Sequence, residues 1–101
     1  MDSIISKHIE RTPDIAGGKP RIAGHRITVE DVVIWHERLG WTADEIAAEY
    51  DLSLADVHVA LAYYFDNREE IDKSIAQGDA FAVALRSRTR SKLIERLRSN
   101  D

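Results

Sequence analysis

Five side chains near one short turn have the chemistry to hold phosphate: Arg11, Lys19, Arg21, His25 and Arg26. Donors of this kind fix a nucleic-acid backbone in place without reading its sequence. The competing reading is a solvated turn whose cations pair with the many acids of the chain. Gly17-Gly18-Lys19 is not a nucleotide loop, because Pro20 stands where Ser or Thr should follow the lysine and Pro13 replaces the first glycine. His8, His25, His36 and His58 never approach one another at i, i+3 or i+4, so no metal site is predicted. No Ser/His/Asp set or pair of carboxylates is placed for catalysis. Asp66, Glu69, Glu70 and Asp72 cluster, but at a helix start they stabilise the positive dipole end. The chain is therefore expected to be no enzyme and to need no cofactor.

A second group lies at the C-terminus. Phe81, Val83 and Leu85 form a small apolar patch, and Arg86, Arg88, Arg90 and Lys92 follow it. Leu93, Ile94 and Leu97 form a second patch at helical spacing. Apolar anchors with arginines between them suit a segment that folds along a partner groove, where the arginines meet carboxylates. A helix completing the chain's own core or dimer, and a tail on DNA phosphate, are the other readings.

Trp41–Asn67 must position these flanks. Thr42 can cap a helix, with Glu45 three residues on, and Ile46, Ala47 and Tyr50 recur at helical spacing. Asp51-Leu52 breaks the pattern. Ser53 with Asp56 can cap the next helix, along which Val57, Leu61, Tyr64 and Phe65 continue an apolar stripe. This is the outline of a helix-turn-helix. A DNA-reading second helix puts its first side chains on base edges. Here those are Ser53, Ala55, Asp56, His58 and Val59, and none is Arg or Lys. Arginine to guanine, the commonest specific contact, cannot come from this helix.

Upstream, Ile4, Ile5 and Ile9 suggest an edge strand or an arm, and Arg11–Asp14 a turn. Lys19–Val29 reads as a hairpin, with Ala23-Gly24 between the β-branched Ile22 and Ile27. Thr28 with Asp31 can cap a helix carrying Val29, Val32, Val33, His36 and Leu39 on one face. Gly40 would stop it, and Trp41 could fold back on its last turn. Asp66 with Glu69 would cap a last short helix, with Ile71 and Ile75 inward, ending at Gly78.

The chain has 101 residues and a net charge of −4. From Met1 to Gly78, eight Lys/Arg face fifteen Asp/Glu, a net −7; from Asp79 to Asp101, six face three, a net +3. An acidic domain, 1–78, thus carries a basic segment, 79–101. There is no cysteine, which excludes disulfides and fits a reducing cytoplasm. MDSIISKHIE lacks a signal-peptide pattern, and no apolar run approaches the ~18 residues of a membrane span. A cytoplasmic protein without a membrane partner is expected.

The run Pro13–Val29, PDIAGGKPRIAGHRITV, resembles the signature GGKPxIxGTRIxV of the bacterial family known as domain of unknown function 433. The resemblance extends through Thr42–Ile46, Tyr50, Leu52, Val57, Ala60–Tyr64 and Arg68–Ile71, in the family's order. His25 stands where the family usually has Thr. The resemblance implies a homeodomain-like helix-turn-helix bundle and a homodimer to which N-terminal strands contribute. It also implies an antitoxin-like protein, paired with a PIN-like ribonuclease toxin.

Together these readings predict a mainly α fold with a small N-terminal β-hairpin and a helical C-terminal tail. The expected function is the antitoxin of a type II toxin–antitoxin system. The tail would neutralise the toxin through Phe81, Val83, Leu85, Arg86, Arg88, Arg90, Leu93, Ile94 and Leu97. Operator DNA would meet Arg11, Lys19, Arg21, His25 and Arg26. The alternative is a homodimeric helix-turn-helix regulator or dimerisation module without a toxin.

Overall fold

The computed structural model describes the backbone of residues 4–99 and the side-chain surroundings of residues 5–88. The described chain is mainly helical, with one two-stranded sheet near its N-terminus. Helix α1 (Ile4–His8) leads into strand β1 (Ile9–Glu10), and β2 follows at Arg21–Ile22. Helices α2 (Val29–Val33), α3 (Ala43–Tyr50), α4 (Leu54–Asp66) and α5 (Arg68–Ser99) complete the order. The chain forms two compact units, Met1–Ile71 and Asp72–Asp101.

Three helices start as their sequences predict. Thr28, Ser53 and Thr42 each accept a hydrogen bond from the backbone N–H three residues on, and the side chain there accepts from the cap's own N–H. Each reciprocal pair satisfies two of the N–H groups that a helix start leaves without partners. For Thr28 and Asp31 the two bonds are 3.0 and 3.1 Å; for Ser53 and Asp56 they are 3.0 and 3.2 Å. Between α3 and α4, Asp51 takes the left-handed conformation, φ 53°. Its N–H and that of Leu52 both donate to Ala47 O, which closes α3 and makes the turn of the helix-turn-helix.

α4 is the centre of the first unit and packs against α1, α2 and α3. Val57, Val59, Ala60, Leu61 and Tyr64 are buried there with Ile22, Val29, Val32, Val33 and Ile46. Ile9 of β1 and Ile71, at the first turn of α5, are buried too.

The N-terminal pairing differs from the expected hairpin. β2 pairs antiparallel with β1, Ile9 opposite Ile22 and Glu10 opposite Arg21. The returning Ile27–Val29 segment meets Arg21 only through a single bridge at Thr28. The predicted turn is present: His25 N donates to Ile22 O at 2.9 Å, and Gly24 has φ 80°. That positive φ belongs to the third residue of a type II turn and favours glycine. The second strand stops early because Thr28 is committed to capping α2 and Val29 is already helical.

Other expectations are corrected at helix ends. α2 passes into a π-helical stretch, Ile34–Arg38, which turns Leu39 outward to 58% exposure instead of onto the core face. Phe65 is likewise exposed, not part of the buried stripe of α4. Asp66 belongs to α4, and Asn67 starts α5 by accepting from Ile71 N at 3.1 Å. α5 runs straight through Gly78. One glycine costs only about 1 kcal/mol relative to alanine in a helix, and the Ala, Leu, Arg and Lys residues beyond it are good helix formers. Among the described residues, no helix is long and apolar enough to cross a membrane.

Candidate functional site

The turn region gathers its cations but commits most of them to acids of the same chain. Arg21 is the clearest case, with its side chain only 7% exposed. Its Nη1 donates to His25 O at 2.8 Å and lies 2.9 Å from Glu10 Oε1, while Nη2 donates to Thr12 Oγ1 at 2.9 Å. Glu10 also accepts from Gly24 N at 3.2 Å. The guanidinium fork thus pins the β1 turn, the β2 turn and the sheet register together. Arg21, expected at DNA, faces inward, and a phosphate could reach it only by breaking this network.

Lys19 Nζ sits 2.9 Å from Glu30 Oε2 at the start of α2. Arg11 Nη2 donates to Tyr63 Oη at 2.7 Å and to Glu70 Oε1. The Tyr63 bond first, then Glu70, hold the Arg11 guanidinium above its ordinary pKa against a smaller opposing effect of burial. The Arg11–Glu70 pair is on the surface, where ion pairs contribute little to stability, whereas Glu30 in the Lys19 pair is largely buried. Arg26 is exposed and His25 is partly exposed. Of the five residues expected at DNA, Arg26 has the most open charge.

The start of α4 has a contact that the sequence did not signal. Asp56 Oδ1 lies 2.8 Å from His8 Nδ1, across 48 positions of chain. Burial would raise the Asp56 pKa, but the bond to His8 and those to Ser53 outweigh it and leave the carboxyl below its usual range. Asp56 therefore caps α4 and holds α1 on it, at the position from which a DNA-reading helix would meet bases.

Three aromatic rings form a stack that the sequence resolved only in part. Trp35 and Tyr50 lie nearly parallel, 5° apart with centroids at 4.0 Å. The Trp41 ring lies 6.2 Å from that of Trp35, and the Trp41 backbone N–H donates to the Trp35 backbone O at 2.9 Å. The glycine stop at Gly40, φ 73°, signalled that Trp41 folds back; nothing local placed Tyr50 in the stack. Trp41, Glu45, Ala48 and Glu49 line a shallow cleft beside it. Among the described residues, no group of three or more His, Asp or Glu side chains is gathered to hold a metal.

In the second unit, Phe81, Val83 and Leu85 are exposed, as are Arg86 and Arg88. Because the segment is helical, these groups do not share one face. Phe81, Leu85 and Arg88 follow i, i+4, i+7 spacing along one side, and Val83 falls on the opposite side. The side chains of Arg90, Leu93, Ile94 and Leu97 lie outside the described residues.

The family model "Protein of unknown function (DUF433)" matches residues 9–64, from β1 to the last turn of α4. Among solved structures, the chain is similar to a DUF433 member protein from Anabaena variabilis ATCC 29413. The two are 35% identical, with 72% of this chain and 72% of that chain covered, and the TM-score is 0.65. No curated protein matches the chain.

Proposed function

The chain belongs to the DUF433 family of proteins of unknown function, and we propose that it is the antitoxin of a type II toxin–antitoxin pair, acting as a homodimer in the cytoplasm. The observation that carries this reading is the exposed side of α5. Phe81, at 70% exposure, is followed one turn on by Leu85 and two turns on by Arg88. An apolar pair followed by a cation at i, i+4, i+7 is the anchor set of a helix that lies in a groove. The basic excess of residues 79–101 suits a groove lined by carboxylates, as in a PIN-like ribonuclease, where arginine can bind a carboxylate through two parallel bonds. In this role the protein has no catalytic function of its own; it occupies the nuclease.

Operator DNA is the second partner, and the contact rests on Arg26 and His25 at the β2 turn. Lys19 and Arg11 can contribute only by exchanging Glu30 and Glu70 for phosphate. The same surface serves the alternative, a dimeric regulator without a toxin.

The test is whether a PIN-like nuclease is encoded beside this protein's gene and, if so, whether the chain binds it. The full chain should bind and inhibit it, and a chain ending at Gly78 should do neither. A truncated chain that still inhibits would transfer the toxin contact to the first unit. A full chain that does not bind, but does bind its own promoter DNA, would favour the regulator.

A further inference from the structure

α3 turns Ile46 and Ala47 into the core and leaves Glu45, Ala48 and Glu49 exposed. With Trp41 these three line an open cleft of about 420 Å³, which suits one side chain lying across it and not an enclosed molecule. The aromatic group fixes the indole without covering it. Trp35 and Tyr50 stack at 4.0 Å, whereas Trp41 lies almost equally far from both, at 6.2 and 6.4 Å, with its plane within 19° of theirs. A third ring laid on top of the pair would be near one member and far from the other. Trp41 therefore sits beside the pair, and it stays half-buried. Trp35 comes from the π-helical stretch Ile34–Arg38, a rare form that concentrates at functional sites.

Two carboxylates border this indole. Glu45 Oε1 accepts from Thr42 N at 3.4 Å and from Thr42 Oγ1 at 3.1 Å, in the cap of α3. Glu49 has no hydrogen bond or ion pair among the described residues. The two are one turn apart on the same side of α3, where like charges repel unless a cation lies between them.

We propose that the cleft holds an arginine side chain of a partner protein, with the guanidinium face on the Trp41 indole and its N–H edge on the Glu49 carboxylate. Among aromatic side chains, indole binds a cation best. A guanidinium offers a flat face to the ring and donors in its own plane to a carboxylate, whereas an ammonium is a point charge. The chain already uses the first half of this arrangement, since Arg68 lies over Tyr64 and Phe65 at 5.7 and 5.9 Å from their centroids. A nucleic-acid base could also stack on the indole, but Glu45 and Glu49 repel the phosphates that come with it. The proposal uses none of residues 79–101 and none of the cations at the β2 turn. It therefore stands apart from the toxin and DNA readings and gives the first unit a protein contact of its own.

Trp35 and Trp41 are the two tryptophans of the chain, so its indole fluorescence reports this site alone. The full chain is titrated with acetyl-Gly-Gly-Arg-Gly-Gly amide and with the same peptide carrying lysine or citrulline in place of arginine. The arginine peptide should change the emission saturably and bind at least about fivefold more tightly than the lysine peptide, and the neutral citrulline peptide should not bind. Glu49→Gln leaves the cap of α3 intact and should weaken the arginine peptide at least about fivefold with unchanged helical circular dichroism. Glu69→Gln, an equal change of charge at an exposed residue that does not line the cleft, should leave binding as it is. Trp41→Leu should abolish the preference for arginine over lysine, read through Trp35. Equal binding of the arginine and lysine peptides, or equal effects of Glu49→Gln and Glu69→Gln, would reduce the cleft to part of a diffuse acidic surface and overturn the proposal. No binding of the arginine peptide would overturn it as well, and quenching by a short oligothymidylate instead would assign the indole to a nucleic-acid base. If Trp41→Leu fails to fold, Glu49→Gln still decides.

Discussion

His8 and Asp56 join the first helix of the chain to the first turn of α4 through a 2.8 Å contact between Nδ1 and Oδ1. The carboxylate answers two demands at once. It accepts from Ser53 N to close the cap of α4, and it holds α1 in place.

Loss of this carboxylate should therefore cost more than an ordinary cap. Asp56→Ala is expected to destabilise the fold by about 1–2 kcal/mol, and His8→Ala by about 1 kcal/mol. The pH dependence has a definite sign. The Asp56 pKa is lowered in the fold, so its contribution is complete above the unfolded carboxylate value, about 3.9, and fades as pH falls through the lower folded value. Denaturant titrations of the chain and of His8→Ala should differ at neutral pH and converge below about pH 4. A gap that persists to the acid limit would assign the effect of His8 to packing.

Arg21 should behave as a stability residue. Arg21→Ala removes the partner of Glu10, Thr12 and the His25 carbonyl, at an expected cost of about 2 kcal/mol, moderated because Glu10 stays partly hydrated. Arg21→Lys should recover little of it, since one ammonium cannot reproduce the fork. Urea midpoints measure both. If Arg21→Ala is as stable as the parent chain, the network does not pin the sheet.

Arg26 is the substitution that tests DNA without disturbing the fold. Arg26→Ala should leave the melting temperature unchanged and weaken operator binding. The slope of log K against log salt should fall by about 0.9 for each phosphate that the variant no longer neutralises. Absence of binding by the parent chain even at low salt would remove DNA from the proposed function.

Gly24 has open space around a Cβ but φ +80°, so its requirement is conformational, not steric. Gly24→Ala should cost about 1 kcal/mol through backbone strain alone. D-alanine at the same position, introduced by peptide ligation, should restore the midpoint. If L-alanine is neutral, the type II turn has another form available.

In the tail, Phe81→Ala with Leu85→Ala should lower affinity for the toxin at least about tenfold, and Val83→Ala should change it little, because the helix sets Val83 on the other side. Equal losses at all three positions would point to a partner that surrounds the helix. Isothermal titration against the purified nuclease separates the two outcomes.

Local pattern alone made several features readable. Thr28, Thr42 and Ser53 each carry an acid at the third position, and all three caps form, because both partners lie within one turn and need nothing from the rest of the fold. Gly24 and Gly40 marked their turns for the same reason. The family followed from the ordered match between Pro13 and Ile71. The missing cations of α4 could also be read directly from residues 54–66.

Tertiary structure decided what those residues face. The sequence placed Arg21 beside other cations, but only the return of β1 alongside β2 brought Glu10 and Thr12 around it and turned an apparent phosphate contact inward. Asp56 could be recognised as a cap, but its bond to His8 depends on packing across 48 positions. A charged side chain is set by whichever opposite charge the chain's path brings near, and that path is not local. Phe65 and Leu39 looked like core by periodicity and are exposed, because a helix of this size can bury only the side its neighbours cover. The sequence by itself therefore determined where α2, α3 and α4 begin and which family the chain belongs to. The packing decided which cations are already paired and which side of α4 stays exposed.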